Sequence, residues 1–213
     1  MQSTLYKLVE FFLIYIIVPI SFVIEFPIWI KMTIGLLGFL YIVFMLLRVE
    51  KEKFRLSKGL DWKTFFKDTV LKLLGIAVLT SLYVYFTNAI NLFIVLKENP
   101  SLWIKILIIY SFLSVYPQEL IYRTFYFKRY KVLFKSRKHF LFINAIVFSL
   151  AHLFFKNTLV IVLTFLGGLL FAFTYNKTRS TVLVSIEHTI YGSWLFTVGM
   201  GEMLGFPSSD FNI

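Results

Sequence analysis

The chain is divided into seven apolar runs, at about 6–24, 28–47, 69–96, 102–127, 140–155, 159–175 and 181–204. An α-helix rises 1.5 Å per residue, so about 20 apolar residues cross roughly 30 Å of hydrocarbon. Backbone in lipid must also satisfy its own hydrogen bonds, which leaves helices or closed barrels as the only spanning structures. The runs predict an all-α polytopic transmembrane helix bundle of about seven spans. Apolar residues make up 59% of the chain and charged ones 15%, more apolar surface than a soluble domain could hide. The boundary between the first two runs falls near Glu25, Pro27 and Lys31. A short re-entrant segment in place of the fifth or sixth span is an alternative to seven full spans. The first run is long and lacks a small-residue cleavage site behind a basic start, so it reads as an anchor.

Charge sets the expected orientation. The net charge of +11 is concentrated in Arg48, Lys51, Lys53, Arg55, Lys58, Lys63 and Lys67, then in Lys128, Arg129, Lys131, Lys135, Arg137 and Lys138, with Lys177 and Arg179 as a small third cluster. Seven spans place all of these on one side, which the positive-inside rule makes cytoplasmic. The N-terminus is then inside and the C-terminus outside, as in a bacterial-type plasma membrane protein. The alternate loops carry only Lys31, Lys97 and Lys156, with Lys105 near the start of the fourth span. Basic residues at span ends are explained by anionic headgroups, which argues against nucleic acid as a partner. Trp29, Trp62, Trp103 and Trp194 fall near span ends, as interfacial aromatics do. The absence of cysteine removes disulfides, thiolate metal sites and cysteine nucleophiles.

The sequence reads as a single integral membrane domain over 1–213, with scaffold spans over 1–96 and a motif-bearing core over 102–205. The polar stretch 48–68 sets Phe54, Leu56, Leu60, Trp62, Phe65 and Phe66 among lysines; it suggests either a short amphipathic element on the cytoplasmic face or a structured loop. The first three spans carry few polar groups, mainly Glu25 at a boundary and Asn88 and Asn91 near an end. Gly201 and Gly205, preceded by Gly199, form a small-xxx-small pair suited to close helix packing in the last span. The tail 206–213 shows no role.

Polar groups that membrane insertion would not choose are concentrated on the later spans. The fourth holds Gln118, Glu119 and Arg123, the fifth His152, and the last Glu187 and His188. Glu119 and Arg123 are one helical turn apart on one face. A charge in a span costs a few kcal/mol on insertion scales, so such groups face a bundle interior or a wet cavity and have partners. The third histidine, His139, sits in a basic loop where exposure explains it. Counted from the cytoplasmic ends, these groups lie at different depths, which calls for tilted helices or thinned hydrocarbon if they are to meet. A self-neutralising Glu119–Arg123 pair and histidines bonded to nearby carbonyls are the structural explanation. A carboxylate with two imidazoles is also adequate equipment to activate water and hold an oxyanion.

Gln118-Glu119-x-x-x-Arg123, then Phe148-x-x-x-His152, then His188 resembles the motif series of the CAAX-protease and bacteriocin-processing (CPBP, or Abi) family, which includes the type II CAAX prenyl endopeptidases. The family pattern is Glu-Glu-x-x-x-Arg, Phe-x-x-x-His and His-x-x-x-Asn or Asp, on separate spans in this order. The resemblance covers roughly 102–205. It implies that the position of Gln118 holds the base that polarises water, assisted by His152, and that His188 stabilises the oxyanion. It makes Glu119 and Arg123 positioning residues.

The chain departs from the pattern twice. Gln118 replaces the first Glu, and an amide is not a general base near neutral pH, although it orients water by hydrogen bonds. Gly192 stands where the family has Asn or Asp. Glu119 is the substitute base; Glu187 is a weaker one, because adjacent helical residues diverge by about 100° from His188. Glu119, His152 and His188 would suffice for zinc. The chain has no His-Glu-x-x-His, however, and these ligands would come from separate helices, so a mechanism without a cofactor is favoured.

Three functions compete. One is an intramembrane endopeptidase that hydrolyses a membrane-associated or prenylated peptide. Another is a catalytically impaired member that binds such a peptide without cleaving it, as Gln118 and Gly192 suggest. The last is a small transporter, against which stand the lack of an inverted repeat and of paired broken helices.

Overall fold

A computed structural model of the protein describes residues 3–52 and 59–206. Among the described residues, six helices are long and apolar enough to cross a membrane: α1 Thr4–Ser21, α2 Ile28–Val49, α3 Trp62–Asn91, α4 Pro100–Arg129, α5 Arg137–Phe155 and α6 Thr158–Thr178. The remaining expected span is α7, Thr181–Val198, which is helical but less apolar because it carries Glu187 and His188 among several hydroxyl side chains. The architecture is all-helical, with about the expected number of spans. Large apolar side chains lie open along the spans, such as Leu79 and Phe86 on α3 and Phe112 and Leu113 on α4, as a lipid-facing surface requires.

Short polar side chains start the helices by accepting orphan backbone N–H groups. Ser3 accepts from Tyr6 N, Asp61 from Thr64 N, Asn99 from Leu102 N, and Asn157 from Leu159 N and Val160 N. The Asp61 cap starts α3 well before residue 69, so Trp62, Phe65 and Phe66 form its first turns rather than a separate surface element. The rest of that expected element, 53–58, lies outside the described residues, as does the tail beyond 206.

Prolines shape two spans. Pro19 follows a π-helical turn at Leu13–Ile17, and Pro117 follows one at Tyr110–Val115. A proline ring collides with the carbonyl four residues earlier and donates no N–H. A wider turn ahead of it moves that carbonyl away. A further π turn, Leu120–Phe125, sits in α4 just after Glu119.

The chain forms two compact units, each assembled from two chain stretches. The first contains Met1–Leu56 and Pro117–Thr181, hence α1, α2, the second part of α4, α5 and α6. The second contains Ser57–Tyr116 and Val182–Ile213, hence α3, the first part of α4 and nearly all of α7.

In the first unit, α1 carries a buried acid. Glu10 is buried and accepts from Arg129 Nε at 2.5 Å, Arg129 Nη2 at 3.1 Å, Tyr130 OH at 3.0 Å and the Tyr41 hydroxyl. Arg129 Nη1 also donates to Glu50 at 2.8 Å. Burial and the Glu10 carboxylate push the Tyr130 phenol far above its usual range, so it remains a neutral donor. Glu25, the acidic residue singled out by sequence, is instead exposed and faces Lys156 at 3.5 Å. In the second unit, α7 is bonded to α3 by Trp194 Nε1 to Thr80 Oγ1 at 2.9 Å, and to α4 by Trp103 Nε1 to Thr197 Oγ1 at 2.9 Å. Trp194 is half-buried, near the end of α7.

The glycines after α7 also correct an expectation. Gly199, at φ 105°, ends the helix against the Asn91 carbonyl, where a Cβ would overlap that oxygen. Gly201 and Gly205 lie beyond this stop, so they do not form a helix-packing face.

Candidate functional site

Arg123 is the best-anchored of the motif side chains. It is wholly buried on α4, and its Nε lies 3.4 Å from Glu119 Oε2, one turn earlier. Nη1 donates to Asn144 Oδ1 on α5 at 2.9 Å and to its neighbour's carbonyl, Tyr122 O, at 3.3 Å. Nη2 reaches Gly168 O on α6 at 3.4 Å. The guanidinium lies over the rings of Phe148, at 4.7 Å, and Phe171, at 5.8 Å. Asn144 closes the arrangement by donating from Nδ2 to Tyr122 O at 2.6 Å. Arg123 therefore holds three helices of the first unit in register. Gly168 permits this approach, because a Cβ there would meet Ala145 Cα at 3.1 Å.

His152 sits where α5 stops being α-helical, between Leu150 and the tight turn Leu153–Phe155. Its Nδ1 is 2.9 Å from Phe148 O. A carbonyl only accepts, so Nδ1 carries the proton and Nε2 is the basic nitrogen. Phe148 thus joins two motif residues: its ring lies beneath Arg123 and packs on His152 at 5.0 Å, while its carbonyl fixes the imidazole. Gln118 is half-buried in the single α-helical turn Tyr116–Glu119, between the two π turns of α4. Glu119 is wholly buried. Single π turns inside α-helices occur frequently at functional sites.

The remaining motif residue belongs to the second unit. His188 is buried on α7 and meets the edge of Tyr110 on α4, with ring centres 6.0 Å apart. Glu187, its neighbour, faces another helix: it accepts from Lys72 Nζ on α3 at 2.8 Å and from Tyr191 OH at 3.0 Å. Tyr191 OH also contacts Thr69 O at 3.2 Å, so it bridges α7 and α3. The two neighbours diverge as helical geometry requires.

Among the described residues, no group of three or more His, Asp or Glu side chains could hold a metal ion.

The family comparison bears on the segment of the chain that carries these residues. Residues 100–194 match the family described as Type II CAAX prenyl endopeptidase Rce1-like. That segment holds Gln118, Glu119, Arg123, His152 and His188, so the match agrees with the resemblance read from the motifs. No curated protein and no solved structure matched the chain. With its long apolar helices and the segment that matches this family, the chain is a multi-pass membrane protein.

Sequence reasoning missed Asn144, Glu10 and Tyr110. Asn144 had a signal: Asn144, Phe148 and His152 recur at four-residue steps, one face of α5. Glu10 and Tyr110 find their partners far away in the chain, and nothing local marks them.

Proposed function

We propose that the protein is an intramembrane endopeptidase of the CAAX-protease type, hydrolysing a peptide bond in a membrane-associated or prenylated peptide. The observation that carries this reading is the wholly buried Glu119 on the family-matched span, beside an Arg123 fixed to the helix that bears His152. Water attacks the scissile carbonyl carbon. Glu119, aided by the basic Nε2 of His152, takes the proton. The C–N bond then breaks, and the proton passes to the departing amine. Gln118 orients the water through its amide, and Arg123 is a positioning residue. No step is routed through a metal. The basic clusters favour an N-terminus and a substrate entry side in the cytoplasm, with the protein in a bacterial-type plasma membrane.

The test uses the full chain in proteoliposomes with a fluorogenic prenylated peptide. The protein as it stands is expected to cleave, and Glu119→Ala and His152→Ala to lose on the order of 10²- to 10⁴-fold in rate. Cleavage indifferent to His152→Ala would overturn the mechanism. A second reading, a member that binds without cutting, is favoured by Gln118; activity appearing only in Gln118→Glu would establish it.

A further inference from the structure

A cleft of about 170 Å³ opens between α1 and α2, within the first unit. Its apolar walls are Val9, Leu13 and Ile14 of α1, and its polar lining is Tyr6 and Glu10 of α1 with Tyr41 of α2. Tyr6, Val9 and Leu13 are exposed on a helix of membrane-crossing length, whereas Glu10 is buried. Hydrogen-bond direction decides what this cleft accepts. Both Glu10 oxygens are filled, Oε1 by Arg129 Nη2 and the Tyr41 hydroxyl, Oε2 by Arg129 Nε and Tyr130 OH. A hydroxyl carries one hydrogen, and Tyr41 commits its own to the carboxylate. The Tyr6 hydroxyl, 3.0 Å from that of Tyr41, is then the donor between the two. The Tyr6 oxygen is left with lone pairs alone, at the exposed end of the relay.

Behind the phenols, Glu10 and Glu50 share one guanidinium, Arg129; two carboxylates against one cation leave these three side chains a formal charge of −1. A cleft that offers acceptors beside a net negative charge selects a cation with N–H donors. Apolar walls along a span select an amphiphile over a free ion. Lys7, next to Tyr6 and in no ion pair among the described residues, presents the opposite charge to a phosphate. We propose that this cleft binds a phospholipid with a primary ammonium headgroup, of the phosphatidylethanolamine class, whose ammonium donates to the Tyr6 and Tyr41 oxygens. None of the lining residues belongs to the motif series, so the inference stands independently of peptide cleavage.

The deciding experiment titrates the full chain in mixed micelles with phosphatidylethanolamine and with phosphatidylcholine of the same acyl chains, and counts retained lipids by native mass spectrometry. Choline has no N–H to donate, and one hydrogen bond to a charged group sets the expected preference for the ethanolamine lipid at about tenfold. Tyr6→Phe should bring that preference to within about twofold, with Tm unchanged. Lys7→Met should weaken both lipids alike, because the phosphate is common to them. Val9→Trp, which fills the cleft from an exposed position, should abolish retention of both. Tyr85→Phe, at an exposed phenol on α3, is the control expected to change nothing. Equal retention of the two lipids by the unaltered chain overturns the inference, as does a preference that survives Tyr6→Phe. If Tyr6→Phe does not fold, Val9→Trp decides, and an ethanolamine lipid retained there overturns it. Displacement of the lipid by millimolar ethanolamine makes this a site for a free amine. A dimer that Val9→Trp dissociates without altering lipid retention makes the cleft an interface between copies. Either result overturns the lipid assignment.

Discussion

Arg123 and Arg129 are both buried on α4, and they are satisfied in opposite ways. Arg129 faces two carboxylates from other helices, Glu10 on α1 and Glu50 after α2, with Nε···Oε2 at 2.5 Å and Nη1···Oε1 at 2.8 Å. Arg123 makes its bonds chiefly with neutral acceptors, the Asn144 amide and backbone carbonyls, and with two aromatic faces. Its carboxylate, Glu119, lies on its own helix at 3.4 Å. Arg129 closes a clamp whose charges compensate one another between helices. Arg123 fixes geometry while its positive charge stays directed at Glu119, within the segment that matches the protease family. Equal burial of the same residue type thus accompanies two different tasks, and the partners distinguish them.

Arg129→Met should have the largest effect on folding. It leaves Glu10 and Glu50 without their cation, at a cost on the order of 5 kcal/mol, read by unfolding in mixed detergent micelles. The clamp interpretation fails if activity per folded molecule also falls. Arg123→Met should cost about 3–5 kcal/mol, because Glu119 is then buried without its cation. Unlike Arg129→Met, it should also abolish most cleavage per folded molecule; equal behaviour of the two variants in a peptidase assay would erase the distinction. Glu10→Gln keeps the shape but weakens charge-assisted bonds, with an expected loss of about 1.5–3 kcal/mol and unchanged kcat. Lys156→Met, which removes the exposed partner of Glu25, is expected to shift stability by less than about 1 kcal/mol, below what the unfolding assay resolves.

The same contrast explains what could be read from the sequence. The spans were legible because apolar length is a local property, and Glu119 and Arg123 because their pairing is one helical turn. Their role in holding α4 was legible only as a resemblance, because the acceptors are a side chain on α5 and a carbonyl on α6. Arg129 was read as one member of a basic loop cluster, since its carboxylates lie 119 and 79 residues away. Glu10 was invisible for the same reason: the burial of a lone acid in an amphipathic first helix depends on what packs against it. Gly201 and Gly205 misled because their spacing fits a packing motif only if the helix continues, and Gly199 stops it. Gly192 shows the limit most clearly. The sequence records a missing side chain there, and only the fold shows that Tyr110 fills the space.

The π turn ahead of Pro117 sets the phase of everything that follows it. One extra residue per turn rotates the downstream helix by about 100° about its axis. Deleting a single residue from Tyr110–Val115 would therefore turn Pro117 and the residues after it about the helix axis relative to the preceding turns, without changing any of their side chains. The proline resists such a slip, because a normal turn would drive its ring into the preceding carbonyl. Pro117 thus works as a ratchet pawl: it lets α4 hold one rotational setting and makes the neighbouring settings costly.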